Sequence, residues 1–591
     1  MHVALQSEAI LGLLCTELRL SGTQADRHGL ASLAQTCRSF AEPALDALWF
    51  TQPDIANAFK LFPEDLLEYE PLDDGGFFLH FRRPIRAEDL LHIYNYTRRI
   101  HELTFPPYNK SGYQGLAPTQ YVHLAMASMF LYQIELFPNL TELSWESDDA
   151  WNVHNVGSDG PFLFFQQTVA YHAPCLTRLR LWTNFRWNLE FILPVASTLQ
   201  MLALEYCSTY PCYQQVNPVA LKLSDIQVLS IGNLDDAALS HIAHLLSLTE
   251  LTLALPGQGI PPDSGYLSER TLPFKTLRVL NLCVVPGELR APQTARGLDA
   301  LLYFIRACDT LTLSSFTLDI QESGASGVTE VFIALSQRCS VTQLTQISCG
   351  LDSFDKALFE PHLPSLVYPL LHYPNLRQLQ IEIGFGLTIN DALLERLVHA
   401  LPCLEELSLA KNIPYREQKA ISLPHPSLTV DLYIFPYHDP RSLVTLGGLT
   451  AISQHSLRLR ELRLSLDASK LESLAGGQAQ VPAGGCPLRV FHAADSRIAA
   501  PWPAVWFLAK AFPELESVAY NNVERTAENR LGEASPDRPD AYERALVGYG
   551  KVWQQVNDAL PDVRNSLGEK PNSSHEELAE ILSGLRNLAM I

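Results

Sequence analysis

Apolar positions along this chain follow two alternating rhythms. One is the short figure Leu-x-x-Leu-x-Leu. It runs as Ile100-x-x-Leu103-x-Phe105, Leu140-x-x-Leu143-x-Trp145, Leu176-x-x-Leu179-x-Leu181 and Leu199-x-x-Leu202-x-Leu204. It continues as Ile226-x-x-Leu229-x-Ile231, Leu248-x-x-Leu251-x-Leu253 and Leu277-x-x-Leu280-x-Leu282, and later as Leu376-x-x-Leu379-x-Ile381, Leu404-x-x-Leu407-x-Leu409 and Leu459-x-x-Leu462-x-Leu464. Val341-x-x-Leu344, Leu488-x-x-Phe491 and Leu515-x-x-Val518 read as weaker copies. Apolar positions two apart predict a short strand. The other rhythm is helical. Leu239, Ile242, Ala243, Leu245 and Leu246 predict a helix over 238–248, and Leu393, Leu394, Leu397, Val398 and Leu401 predict one over 391–401. Each such helix leads into the next strand figure.

Where the figure recurs without interruption, its period is roughly 22–28 residues, a spacing typical of stacked repeats. One strand and one helix cannot bury their apolar faces alone, so neighbouring copies must stack. This pattern resembles leucine-rich repeats. The resemblance implies an α/β solenoid with parallel strands on the concave side and helices on the convex side. Asn184, Cys207 and Asn412 fall three residues past the third leucine, where that family satisfies backbone groups at the turn. Residues between the leucines should face outward on the concave side. Arg178, Arg180 and Trp182 are the candidate target contacts, because Arg and Trp are enriched among interface anchors. The alternative is an ordinary solvated strand face. Glu142, Ser144, Glu146, Gln378, Gln380, Glu382, Glu406, Ser408, Glu461 and Arg463 occupy the same kind of position.

The N-terminal 50 residues follow the helical rhythm alone. Leu30, Leu33, Ala34, Cys37 and Ala41 form one stripe, and Pro43 is placed to open a second segment carrying Leu45, Leu48 and Trp49. A unit this small cannot seal such a stripe by itself. Leu33, Ala34, Cys37, Arg38 and Phe40, followed by Ala-Leu-Asp-Ala-Leu-Trp, resemble the second half of an F-box. Ile10, Leu11, Leu14, Cys15 and Leu18 resemble its first helix, although Glu8 and Ala9 stand where the family carries Pro and Glu. Residues 83–105 are similar to the segment that follows the F-box in many fungal F-box proteins. The resemblance implies a substrate receptor of an SCF-type ubiquitin ligase. It would dock on a Skp adaptor, and through it a cullin scaffold, by way of Ile10, Leu14, Leu30, Leu33, Cys37, Leu45 and Trp49. The repeats would hold a target protein. The other reading is a leucine-rich repeat scaffold unrelated to ubiquitin transfer, its helical start serving only as a cap.

These patterns divide the chain into a helical module (1–50), a connector and leading helix (51–96), a solenoid (97–523) and a tail (524–591). Pro53, Pro63, Pro71 and the run Asp73-Asp74-Gly75-Gly76 punctuate the connector, and Phe77–Phe81 has strand composition. In the tail, 528–545 reads as a charged, turn-rich loop. It is followed by amphipathic helices over 551–563 and 575–591, the second with Ile581, Leu582, Leu585 and Leu588 on one side. A cap over the last repeat is the favoured role for the tail, ahead of a partner-binding one.

Composition narrows the function classes. Apolar residues make up 47% of the 591 and charged residues 18%, which marks a folded chain. The net charge of −21 argues against binding to nucleic acid or an anionic membrane surface. The 11 cysteines are scattered without a C-x-x-C pair, as expected of reduced thiols in cytoplasm or nucleus. No signal peptide or transmembrane segment is expected. His241 and His244 have the spacing of a metal-binding pair but lack the H-E-x-x-H glutamate. The glycine pairs Gly257/Gly259 and Gly384/Gly386 lack the rest of a phosphate loop, and Gly324–Gly327 lacks the spacing of a nucleophile elbow. The sequence therefore predicts a binding protein without catalytic residues, metal or cofactor.

Overall fold

The structure is a computed structural model. It describes residues 7–21, 23–53, 56–71, 77–105, 114–116, 118–146, 171–182, 189–205, 213–232, 234–256, 271–285, 295–320, 326–351, 363–383, 389–409, 444–469, 485–494, 496–520 and 541–569. The chain divides into two compact units, Met1–Ala254 and Leu255–Ile591.

Unit 1 begins with three helices, α1 (Glu8–Ser21), α2 (Gln24–Thr36) and α3 (Arg38–Phe50). Thr23 starts α2 by accepting the Asp26 N–H on its hydroxyl at 3.2 Å. The extended backbone of Cys37 separates α2 from α3, so the stripe through Leu33, Cys37 and Ala41 is broken between two helices. Pro43 does not open a segment; it lies inside α3, which starts five residues earlier. A proline this near the N-terminus forfeits one backbone bond, to a carbonyl of the first turn.

The strands of unit 1 are β1 (Thr51–Gln52), β2 (Leu67–Pro71), β3 (Phe77–Phe81), β4 (Glu102–Phe105), β5 (Gln114–Leu116), β6 (Glu142–Glu146), β7 (Arg178–Trp182), β8 (Met201–Glu205), β9 (Val228–Ile231) and β10 (Glu250–Pro256). β1, β4, β6, β7, β8, β9 and β10 lie side by side in that order, all parallel. β2 pairs antiparallel with β3, and β3 parallel with β5, in a small separate sheet. The connector thus contributes strands at both ends, with only a four-residue helix, Ala56–Phe59, between them. Helix Ala87–Thr97 buries Leu90 and Ile93 before the chain enters β4.

Unit 2 repeats the arrangement with β11 (Val279–Val285), β12 (Ser315–Ile320), β13 (Gln346–Leu351), β14 (Gln378–Ile383), β15 (Glu406–Ser408), β16 (Glu461–Arg463), β17 (Asp467–Ala468), β18 (Val490–His492), β19 (Arg497–Ile498) and β20 (Ser517–Ala519). β17 and β19 pair with each other, and the remaining strands lie parallel in chain order. Helices precede most strands, among them Ala295–Ala307, Ser326–Arg338, Asp391–Ala400 and Pro501–Ala511.

The leucine figure explains the packing of both units. Its middle residue forms a buried ladder in register: Leu103, Leu143, Leu179, Leu202, Leu229 and Leu251 in unit 1. In unit 2 the same ladder is Leu280, Phe316, Ile347, Leu379, Leu407, Leu462, Phe491 and Val518. Burying each of these side chains contributes on the order of 2 kcal/mol, and parallel register aligns them into one apolar layer. The α/β class and the parallel strand–helix alternation agree with the sequence pattern.

Several details differ. The copy assigned to Val341-x-x-Leu344 is displaced by three residues: Leu344, Ile347 and Cys349 are buried, whereas Val341 is 39% exposed. A further copy, Leu313-x-x-Phe316-x-Leu318, lies wholly in the interior. Helix Asp236–Ala243 stops short of its expected end, leaving Leu246 72% exposed. Residues 541–545, read as loop, begin a helix that runs from Ala541 to Glu569. Asn184, Cys207, Asn412, the two glycine pairs, Gly324 and the stripe from Ile581 to Leu588 lie outside the described residues. Among the described residues, no helix is long and apolar enough to cross a membrane.

Candidate interaction surfaces

Helix α3 is fixed to α1, to helix Ala87–Thr97 and to the segment leading into β4 by several contacts. β1 continues from α3 and pairs with β4. Phe50 stacks on His101 at 4.5 Å, Arg19 lies over the Phe50 ring at 3.9 Å, and Trp49 packs on Tyr96 at 5.2 Å. The buried Arg99 guanidinium donates to Glu42 at 2.6 Å and to Asp46. Both carboxylates belong to α3, so one cation holds two turns of that helix.

The three helices share a small core of Cys15, Leu30 and Ala44, against which Leu18, Leu33, Ala34, Ala47 and Leu48 pack. The candidate adaptor contacts therefore separate into groups. Leu30 is in that core and Leu33 is packed against it, so both hold the helices together. Cys37, Leu45 and Trp49 are half-buried, with Trp49 turned toward Tyr96. Ile10 and Leu14 are exposed at 43% and 40%, beside Leu13 at 68% and Leu20 at 65%. Leu13 and Leu20 escaped the sequence reading, although the signal was there. α1 is apolar on two sides, and only the side carrying Leu11 and Cys15 is buried within the chain.

The second surface is the outward face of the unit 1 strands. Arg178 and Arg180 stand exposed on β7, as alternation requires. Arg178 forms an ion pair with Glu142 on the adjacent strand at 3.0 Å, its register partner. Arg180 is in register with Ser144 and Ala203. Trp182 is a strand residue in register with Glu146 and Glu205, and its side chain lies outside the described residues. Arg178 is thus partly neutralised from within the sheet.

Polar chemistry in the interior is structural. Ser128 and His172 are fully buried, with the hydroxyl 3.0 Å from Nε2. The Leu136 N–H donates to Nδ1 at 3.1 Å, which leaves Nε2 as the protonated nitrogen; it donates to Ser128, whose hydroxyl donates in turn to the Leu124 carbonyl at 2.7 Å. In that tautomer the imidazole cannot take the serine proton, so the pair is wired against nucleophilic use. Burial pushes His172 down to about 4 from 6.5. His241 lies 2.8 Å from the Leu223 carbonyl and His244 2.7 Å from that of Ser240, so both imidazoles serve as backbone caps. No group of three or more His, Cys, Asp or Glu suited to a metal occurs among the described residues. The described cysteines are free thiols, and burial raises those of Cys308 and Cys486 to about 12, far from a reactive thiolate.

A scan against protein-family models finds no model that matches this chain, and a search of curated proteins finds no match either.

Proposed function

We propose that the protein is a substrate-recognition subunit of an SCF-type ubiquitin ligase. Its helical module would bind a Skp adaptor, and its repeat strands would hold a target. In this role the chain forms and breaks no covalent bond and contributes proximity, converting an encounter between target and ligase into an intramolecular step. The observation that carries the reading is the two-sided apolarity of α1. One side builds the three-helix core, while Ile10, Leu13, Leu14 and Leu20 remain in water. An exposed cluster of large aliphatic side chains on a module otherwise anchored to the fold favours a docking face. The F-box resemblance supplies the occupant.

A specific observation also favours the second reading, a repeat scaffold with a helical cap. β1 adds the first strand to the sheet of unit 1, and α3 is bound to it through Arg99. The two readings part on one measurement, capture of the full-length chain by purified Skp adaptor. The ligase reading expects capture, with a Leu13→Asp loss of at least about a hundredfold, because a charge forced into an apolar interface costs several kcal/mol. The same substitution on the free, exposed helix should change folding stability by about 0.5 kcal/mol or less. Absence of capture by the wild-type chain would leave the scaffold reading standing.

A further inference from the structure

Helices Asp391–Ala400 and Leu449–His455 belong to neighbouring repeats and lead into β15 and β16, which pair with each other. Each carries a histidine in its last turn, His399 and His455. Both side chains are exposed, yet the two rings touch, with centroids 3.9 Å apart and planes tilted by 38°. Among the described residues, no hydrogen bond or ion pair engages either ring. His241 and His244 differ in this respect, since each has a ring nitrogen tied to a backbone carbonyl. Free imidazole nitrogens are the donors that bind divalent transition cations. A cation at this place also meets the carbonyl end of helix Asp391–Ala400. Glu395, exposed one turn before His399 on the same helix, adds a negative charge. An imidazole nitrogen holds such an ion at about 2.1 Å, so two ligands at a right angle place their ring centroids about 4.5 Å apart. The pair reaches that spacing by opening about 0.6 Å from 3.9 Å. Tetrahedral ligation, as zinc prefers, requires about 5.2 Å.

We infer that His399 and His455 form a two-histidine site for a divalent transition cation of tetragonal preference, nickel(II) or copper(II), with water in the remaining positions. The site lies on helices rather than on the strand face considered for target contact, and it does not depend on the ligase reading. It is open, unlike the closed four-ligand cages of structural zinc sites. Residues 401–448 separate the two helices in the chain, so the ion joins segments that only the fold brings together. It acts as a staple between successive repeats, stabilising the folded state as far as it binds that state alone.

The test uses the full-length protein, stripped with EDTA, exchanged into chelator-free buffer and titrated with nickel(II) or copper(II) chloride by calorimetry. The wild-type chain should bind one equivalent that His399→Ala and His455→Ala each weaken about tenfold or more, because losing either imidazole turns a chelate into a single contact. His372 closes the helical turn of the preceding repeat; it is exposed and, among the described residues, has no second imidazole beside it. His372→Ala should change the affinity of that equivalent less than about twofold. Nickel(II) should raise the thermal midpoint of the wild-type chain and leave that of either single variant nearly unmoved. All three substitutions fall at exposed positions, so the midpoints without metal should agree within about 2 °C. Three results overturn the inference: no saturable equivalent on the wild-type chain, an equivalent that survives His399→Ala or His455→Ala, or equal weakening by His372→Ala, which would reveal only scattered surface histidines.

Discussion

Single side chains decide what the N-terminal module can offer. Leu30 and Leu14 look alike in a periodic pattern, yet one closes the three-helix core and the other faces water. Periodicity places residues on a helix face but does not say which face meets the chain's own core when both are apolar. His172 shows the same limit for polar residues. Nothing adjacent to it in sequence announces that its Nδ1 accepts from Leu136 and its Nε2–H donates to Ser128. Its folded pKa of about 4 lies below its ordinary 6.5, so the neutral ring is the form the fold favours. The stabilisation is complete above about pH 6.5 and is lost as pH falls toward 4, up to about 3 kcal/mol over that window. Hydrogen-exchange protection of residues 124–137, corrected for intrinsic rate, should fall between pH 7 and 4.5. A His172→Gln variant should start lower and show a flatter pH dependence.

At the scale of elements, a strand copy reads as complete where leucine holds the middle position of the figure, and is weak, misframed or missed where Phe316, Ile347, Phe491 or Val518 stands there. Leu313-x-x-Phe316-x-Leu318 and Leu344-x-x-Ile347-x-Cys349 fill the same ladder as their neighbours. In the second, Val341 offered a competing frame three residues early. Only pairing with β12 and β14 selects the buried one. A different device holds the segment around Thr445. The Asp391 carboxylate, at the start of helix Asp391–Ala400, accepts the Thr445 N–H and hydroxyl, both at 2.8 Å. A side chain at Gly448 would overlap that carboxylate. Gly448→Ala should therefore cost about 2 kcal/mol, read as a lower thermal midpoint. In an Asp391→Ala background the same change should add little, because the clamp is already gone.

At the scale of the whole molecule, the last strand needs a cover. Helix Ala541–Glu569 lays Trp553, Val556, Leu560 and Val563 inward, and Asn557 accepts the Val518 N–H of β20 at 2.8 Å. The Trp553 indole N–H donates to the Ser496 carbonyl at 3.0 Å. Deleting residues 541–591 should uncover the Pro501–Ala511 helix and β20, and the truncated chain should elute as aggregate in size-exclusion chromatography. Elution as a monomer would assign that helix a role other than covering the repeats.

The amino-acid sequence by itself determined that strands and helices alternate, that the strands stack in parallel, and which leucines of the strand figure turn inward. Each of these follows from local spacing and from the inability of one copy to bury its own face. Tertiary structure alone decided the sides and partners: the outward half of α1, the internal pairing of Arg178 with Glu142, the frame at Leu344, and the meeting of His399 with His455 across more than fifty residues. Those depend on register and burial, which arise only when distant segments compete for the same contacts, and local spacing carries no record of which competitor wins.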